Sequence, residues 1–186
     1  MDTHNWKPNV TVAALIERDG RYLLVEEDTD DGIRLNQPAG HLDENESLVA
    51  ACVRETLEES AWTFAPTAVV GIYQWKRPQG GVAAGQSQGE ASNTIERSEH
   101  ASPLSLGEGL GVRSRVTYLR FAFAGTLGRF DANRKLDSGI LRTVWMTLDE
   151  IRDSQPRHRS PLVWRCIEDH RSGRRYPLDL IRHYDT

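Results

Sequence analysis

Three glutamates, Glu55, Glu58 and Glu59, stand at positions i, i+3 and i+4. On a helix that spacing puts them on one face, one turn apart. Three like charges so close repel one another, so the helix alone gains nothing from them. Hard divalent cations such as Mg2+ and Mn2+ reverse that balance, because they take carboxylate oxygens as ligands. The plain alternative is a solvated acidic face, the usual meaning of charge at helical spacing. Upstream, Leu48, Ala51 and Cys52 continue the same side with apolar residues, which suits a cleft wall better than an open surface. Val49, Val53 and Leu57 recur at i, i+4 and i+8 nearly opposite the glutamates and read as the core face.

The stretch from Gly40 to Trp62 reads GHLDENESLVAACVRETLEESAW. Gly40, Glu46, Arg54, Glu55, Glu58, Glu59 and Trp62 fall at the spacing of the Nudix box, G-x5-E-x7-R-E-U-x-E-E-x-G-U with U bulky and apolar, and the segment resembles it. Two positions depart. Thr56 stands where a bulky aliphatic is usual, and Ala61 stands where glycine is usual. A glycine there would serve the helix end, where a left-handed backbone is cheap only without a Cβ. Neither departure removes a carboxylate. The likeness continues through NVTVAALI, LNQPAGHLD, VTYLRFAF and the C-terminal SPLV and SGRRYPLDLI, and is similar to the phosphatase NudJ branch of Nudix hydrolases. That branch usually carries tryptophan where Leu35 stands, a position with the chemistry to stack on a substrate ring.

The resemblance implies an α/β (α+β) fold, an α/β/α sandwich around a central mixed sheet. It implies a Mg2+-dependent hydrolase, with Mn2+ as a substitute, in which water attacks phosphorus of a small pyrophosphate. The branch points to nucleoside tri- and diphosphates and to the thiamine-pathway hydroxymethylpyrimidine pyrophosphate. Glu55, Glu58 and Glu59 are then the metal ligands, and Glu55 or Glu59 takes the proton of the attacking water. Gly40 can bring a backbone carbonyl to the metal, since no Cβ blocks it. Arg54 either contacts phosphate or, as the family implies, pairs with Glu46. Asp137, in KLDSGI, is a candidate fourth acidic ligand or an ordinary turn residue. His41 is a phosphate contact or a surface histidine. Arg34, Gln37, Trp75, Tyr118 and Arg120 are candidate substrate contacts, with Tyr73 beside them. Aromatic residues on strands are more often core.

The elements that must hold these residues are legible in outline. Residues 10–16 and 22–26 read as a hairpin around the turn at 18–21. Residues 28–32 read as an acidic loop. The box helix is expected over 47–60, with Asn45 as N-cap and Glu46 in the first turn. Further strands are expected at 67–75, 116–125 and 144–146. Thr147 and Glu150 make a capping pair for a short helix, and Ser160-Pro161 opens a last helix ending near Arg171. Residues 79–115 are rich in Gly, Ser, Ala, Gln and Glu and read as a low-complexity insert in a hairpin loop of one domain spanning 1–186.

With 186 residues and a net charge of −4, the chain suits one domain with a real core and lacks the basic surface that long nucleic acid requires. An RNA 5′-end pyrophosphohydrolase is therefore disfavoured. A non-catalytic binding module is disfavoured because every box glutamate is present. Two cysteines, Cys52 and Cys166, make neither a disulfide framework nor a zinc pattern, so a reducing cytoplasm is the simplest location. The N-terminal MDTHNWKP has no apolar signal core, and no run approaches a membrane span. A monomer or homodimer is expected.

Overall fold

The computed structural model describes residues 6–77 and 116–184. The segment read as an insert, 79–115, lies outside the described residues.

Strand β1 (Asn9–Leu15) is followed by the two-residue β2 (Glu17–Arg18) and by β3 (Arg21–Thr29). Asp19 and Gly20 turn the chain between the last two, both at positive φ, 54° and 74°. β3 returns through a tight turn into β4 (Gly32–Asn36), and β5 (Ala39–His41) leads to the helix α1 (Leu48–Ser60). The acidic loop expected at 28–32 is thus shorter than the sequence suggests. Asp28 and Thr29 belong to β3, and Thr29 is paired with Gly32 across the turn. Gly32 at φ 89° lets two extended strands meet there. β6 (Trp62–Lys76) and β7 (Thr117–Phe130) are longer than expected and pair antiparallel along their length. β8 (Ile140–Thr147), α2 (Leu148–Asp153) and α3 (Leu162–Arg171) complete the order.

Two sheets result. One runs β5-β1-β7-β6, with β1 and β7 parallel and the other neighbours antiparallel, so it is mixed. The other runs β2-β3-β4, with β8 on the free side of β3. Side chains alternate across β1 and β7. Val12, Ala14 and Phe123 face α1 through Ala51 and Cys52. Leu15, Ala122 and Ala124 face α3 through Leu162, Cys166 and Ile167. Helix, sheet and helix therefore stack as an α+β sandwich.

The α1 helix corrects two expectations. Its N-cap is Ser47, whose hydroxyl accepts from the Ala50 N–H at 3.1 Å, and not Asn45, which takes a left-handed turn at φ 63°. Its buried face is Ala51, Cys52, Glu55, Thr56, Glu59 and Ser60, whereas Val49, Val53 and Leu57 are only half-buried. Small residues let the helix lie close to the sheet, so two glutamates point inward and the larger Val and Leu side chains flank the contact. Thr56 is fully buried, its hydroxyl donating to the Cys52 carbonyl at 2.6 Å. α2 has the expected capping box between Thr147 and Glu150.

Candidate active site

Arg54 is the centre of the acidic face. Its Nε and Nη2 both donate to Glu46, each at 2.9 Å, in a bidentate fork. Its Nη1 donates to Glu55 at 2.8 Å and to Glu58 at 3.0 Å, and Nη2 also donates to the His41 carbonyl at 3.0 Å. One guanidinium thus hydrogen-bonds three carboxylates and ties the helix to the loop before it. The hydrogen bond from Arg54 holds the Glu46 carboxyl below its usual range. Of the two readings of Arg54, the geometry shows the pair with Glu46.

Glu55 and Glu59 are each 8% exposed. Burial pushes both carboxyls upward, Glu59 to about 9, with Glu55 and Asp137 adding repulsion to it. Glu59 accepts from the Ala39 N–H at 2.8 Å. A Cβ on Gly40 would collide with the Glu55 carboxylate. Glycine is therefore required here for close approach of a side chain. The Asp137 N–H donates to the Glu58 carbonyl at 3.1 Å, so the 137 loop rests on the end of α1.

A cleft of about 390 Å³ opens beside these groups. Gly40, His41 and Glu59 line one part of it, Trp75 and Tyr118 another, and Arg120 its floor. Trp75 and Tyr118 stack at 5.6 Å with 24° between planes. Asp137 is beside the cleft through its neighbours Ser138 and Gly139. Arg34 and Gln37 are placed elsewhere. Arg34 donates to the Pro156 carbonyl at 3.3 Å, away from the lining. Gln37 is buried and donates to the Val163 carbonyl at 2.8 Å, anchoring α3. Tyr73 donates to Asp169 at 3.0 Å and packs in the core. Leu35 is fully buried in the same cluster, so its side chain is core and presents no face to a ligand.

Other lining residues escape the motif. Glu27 accepts from Asn36 at 2.8 Å and pairs with Arg159 at 3.3 Å. Arg77 pairs with Asp31 at 3.1 Å across the cleft rim. Alternation along β3 places Glu27 with Val25, a weak signal; for Thr11, Arg77 and Arg159 no spacing in the sequence marks them.

Among the described residues, no three acidic, histidine or cysteine side chains already close around one point as a metal cage. The donor chemistry nevertheless suits a hard divalent cation. Two buried carboxylates with raised affinity for protons flank a glycine backbone, and Glu58, bonded to Arg54, adjoins them.

Comparison with known families decides the relationship. A family model described as the NUDIX domain matches residues 6–164, and so includes the whole box and the cleft strands. The chain belongs to the Nudix family. As a Nudix hydrolase it acts on phosphorus-containing anhydrides. It is 31% identical to phosphatase NudJ of Escherichia coli K12 over 180 residues, covering 97% of this chain and 94% of that one. It is similar to a solved Nudix hydrolase from Nitrosomonas europaea, at 44% identity and TM-score 0.75, covering 96% and 98% of the two chains. A MutT Nudix hydrolase from Burkholderia pseudomallei shares the fold at 15% identity and TM-score 0.57, over 88% and 98%.

Proposed function

We propose that this Nudix hydrolase is a divalent-metal-dependent pyrophosphohydrolase, with Mg2+ the preferred ion and Mn2+ a substitute, acting on small nucleoside tri- and diphosphates or on hydroxymethylpyrimidine pyrophosphate. The observation that carries the reading is the placement of Glu59 and Gly40 at one part of a cleft whose other part holds the Trp75–Tyr118 stack. A phosphate chain and a ring need those two environments together. The curated relative named a phosphatase supports the same class.

Glu55, Glu58 and Glu59, with the Gly40 carbonyl and Asp137, are the groups that would hold the cation. A bound divalent cation supplies neutralisation of phosphate charge and a more acidic water. Glu59 or Glu55 accepts the proton as the water oxygen bonds to phosphorus. The anhydride P–O bond breaks, and its electrons leave on the phosphate oxygen. Arg54 keeps the carboxylate-bearing helix fixed against the Glu46 loop. Trp75 and Tyr118 hold the ring, and Arg120 and His41 contact phosphate. The acidic rim at Asp28, Asp30 and Asp31 disfavours a long polyanion such as RNA.

Metal-dependent phosphate release tests this. Glu58→Gln and Glu59→Gln are each expected to lower kcat/KM about 10²-fold or more with the fold intact by circular dichroism. Undiminished turnover in both variants would overturn the assignment.

A further inference from the structure

A row of residues crosses the first sheet in register. His41 is partnered with Thr11, Thr11 with Arg120, and Arg120 with Tyr73. Partnered residues on neighbouring strands put their side chains on one face, about 5 Å apart. Thr11 and Arg120 both line the cleft, at 6% and 7% exposure. Each has a buried polar atom without a partner, Thr11 Oγ1 and Arg120 Nε. These are the only two such side-chain atoms among the described residues, and they are adjacent.

The charge of Arg120 is equally unanswered. Its Nη1 makes two long hydrogen bonds, both 3.4 Å, to the neutral amide oxygens of Asn36 and Gln37. Among the described residues it makes no ion pair. The carboxylates that could answer it are committed elsewhere. Glu27 takes Asn36 and Arg159, and Asp169 takes Tyr73, Arg165 and Arg174. Cys166 and Tyr73 also adjoin Arg120; the Cys166 thiol is pushed up to about 11 by burial against the opposing pull of Arg120, so the contact supplies no negative charge at neutral pH. A buried guanidinium with no counter-charge is costly, and so is a buried hydroxyl with no partner. Glu26, by contrast, is buried between two arginines, Arg142 and Arg157, at 2.6 Å each. Asn36 and Gln37 are themselves pinned, by Glu27 and by the Val163 carbonyl, so their oxygens are fixed toward Arg120. The floor is built, and what it lacks is an anion.

We infer that Arg120 and Thr11 form an anion seat in the cleft floor, separate from the carboxylate face, that holds a phosphate group of the substrate and binds inorganic phosphate on its own. The identity of the anion rests on the pyrophosphohydrolase reading; the seat itself does not. Arg120 supplies the positive charge and Nε–H, and Thr11 the hydroxyl donor. The seat positions the phosphate chain one strand away from Gly40 and His41.

The experiment uses metal-free protein in chelator, titrated with inorganic phosphate by calorimetry and by thermal melting. Arg120→Met is expected to weaken phosphate binding about tenfold or more, since charge-assisted bonds are the strong ones. Thr11→Val, a shape-conserving change, is expected to weaken it severalfold. Both variants without phosphate should melt at or above the wild-type temperature, because an unanswered polar group has been removed. Arg77→Met, at the cleft rim where the arginine already has Asp31, should bind phosphate as wild type does. Unchanged phosphate affinity in Arg120→Met or Thr11→Val overturns the seat, as does loss of binding in Arg77→Met alone. If Arg120→Met does not fold, Thr11→Val and Arg120→Lys carry the same comparison. Because no metal or turnover is involved, phosphate binding that survives in a protein inactive on pyrophosphates would sink the functional reading and leave the seat standing.

Discussion

Glu59 carries the heaviest electrostatic load in the cleft. Burial raises its carboxyl from 4.5 to about 9, with Glu27, Glu55 and Asp137 adding to it. In metal-free protein the folded state therefore keeps a proton that the unfolded state has released between those two values. Where the folded state binds more protons, stability falls as pH rises. The contribution is full below the unfolded value and is lost as pH climbs toward about 9. Urea unfolding in chelator from about pH 5 to about pH 8 should show stability declining, and Glu59→Gln should flatten that slope. Added Mg2+ should stabilise more at the upper end, because the metal must displace the proton. An unchanged slope in Glu59→Gln would assign the decline to another group. Glu46 works in the opposite direction. Its carboxyl is held low by Arg54, so its contribution is present above the unfolded value and is lost as pH falls.

At the scale of elements, α1 shows how far spacing reaches. The helix and the positions of its charges were legible, because a motif with many fixed positions leaves little freedom, whereas the strand that follows starts at Trp62, ahead of the expected residue 67. Alanine in place of the usual glycine could either bear a left-handed backbone or change how the helix ends, and Ala61 takes the left-handed form, with φ 59° and its N–H donating to the Leu57 carbonyl at 3.0 Å. Ala61→Gly should therefore stabilise the protein by about 1 kcal/mol. That is a rise in Tm of about 2–4 °C by differential scanning calorimetry. A fall would mean that the backbone bears no strain there. What spacing missed has a common cause. Ser47 and Asn45 have equivalent capping chemistry, and only the loop path set by the Arg54–Glu46 fork chooses between them. The Val49, Val53 and Leu57 stripe had the larger side chains, whereas contact with the sheet selected the smaller ones. Arg34 and Gln37 are near Gly40 in sequence, yet the sheet turns them toward α3 and its preceding turn. Thr11, Glu27 and Arg159 reach the cleft only because strands distant in sequence are paired.

At the scale of the molecule, the part beyond the family match is tied to the sheet and to the core. Tyr176 exchanges two backbone hydrogen bonds of 2.8 Å with Val69 on the sheet edge, and Leu178 and Ile181 pack on the core beneath α1. Val69 is fully buried and would lose its cover. Deleting residues 175–186 should lower Tm by at least about 4 °C and raise aggregation on heating, since an exposed strand edge recruits other chains. A truncated protein with wild-type melting would show that the contact is dispensable. A last consequence follows from the guanidinium at the centre of the acidic face. Arg54 answers Glu46, Glu55 and Glu58 from within the chain, so the helix does not wait for an inorganic ion before it can form. Newly made protein can mature in surroundings poor in divalent salts.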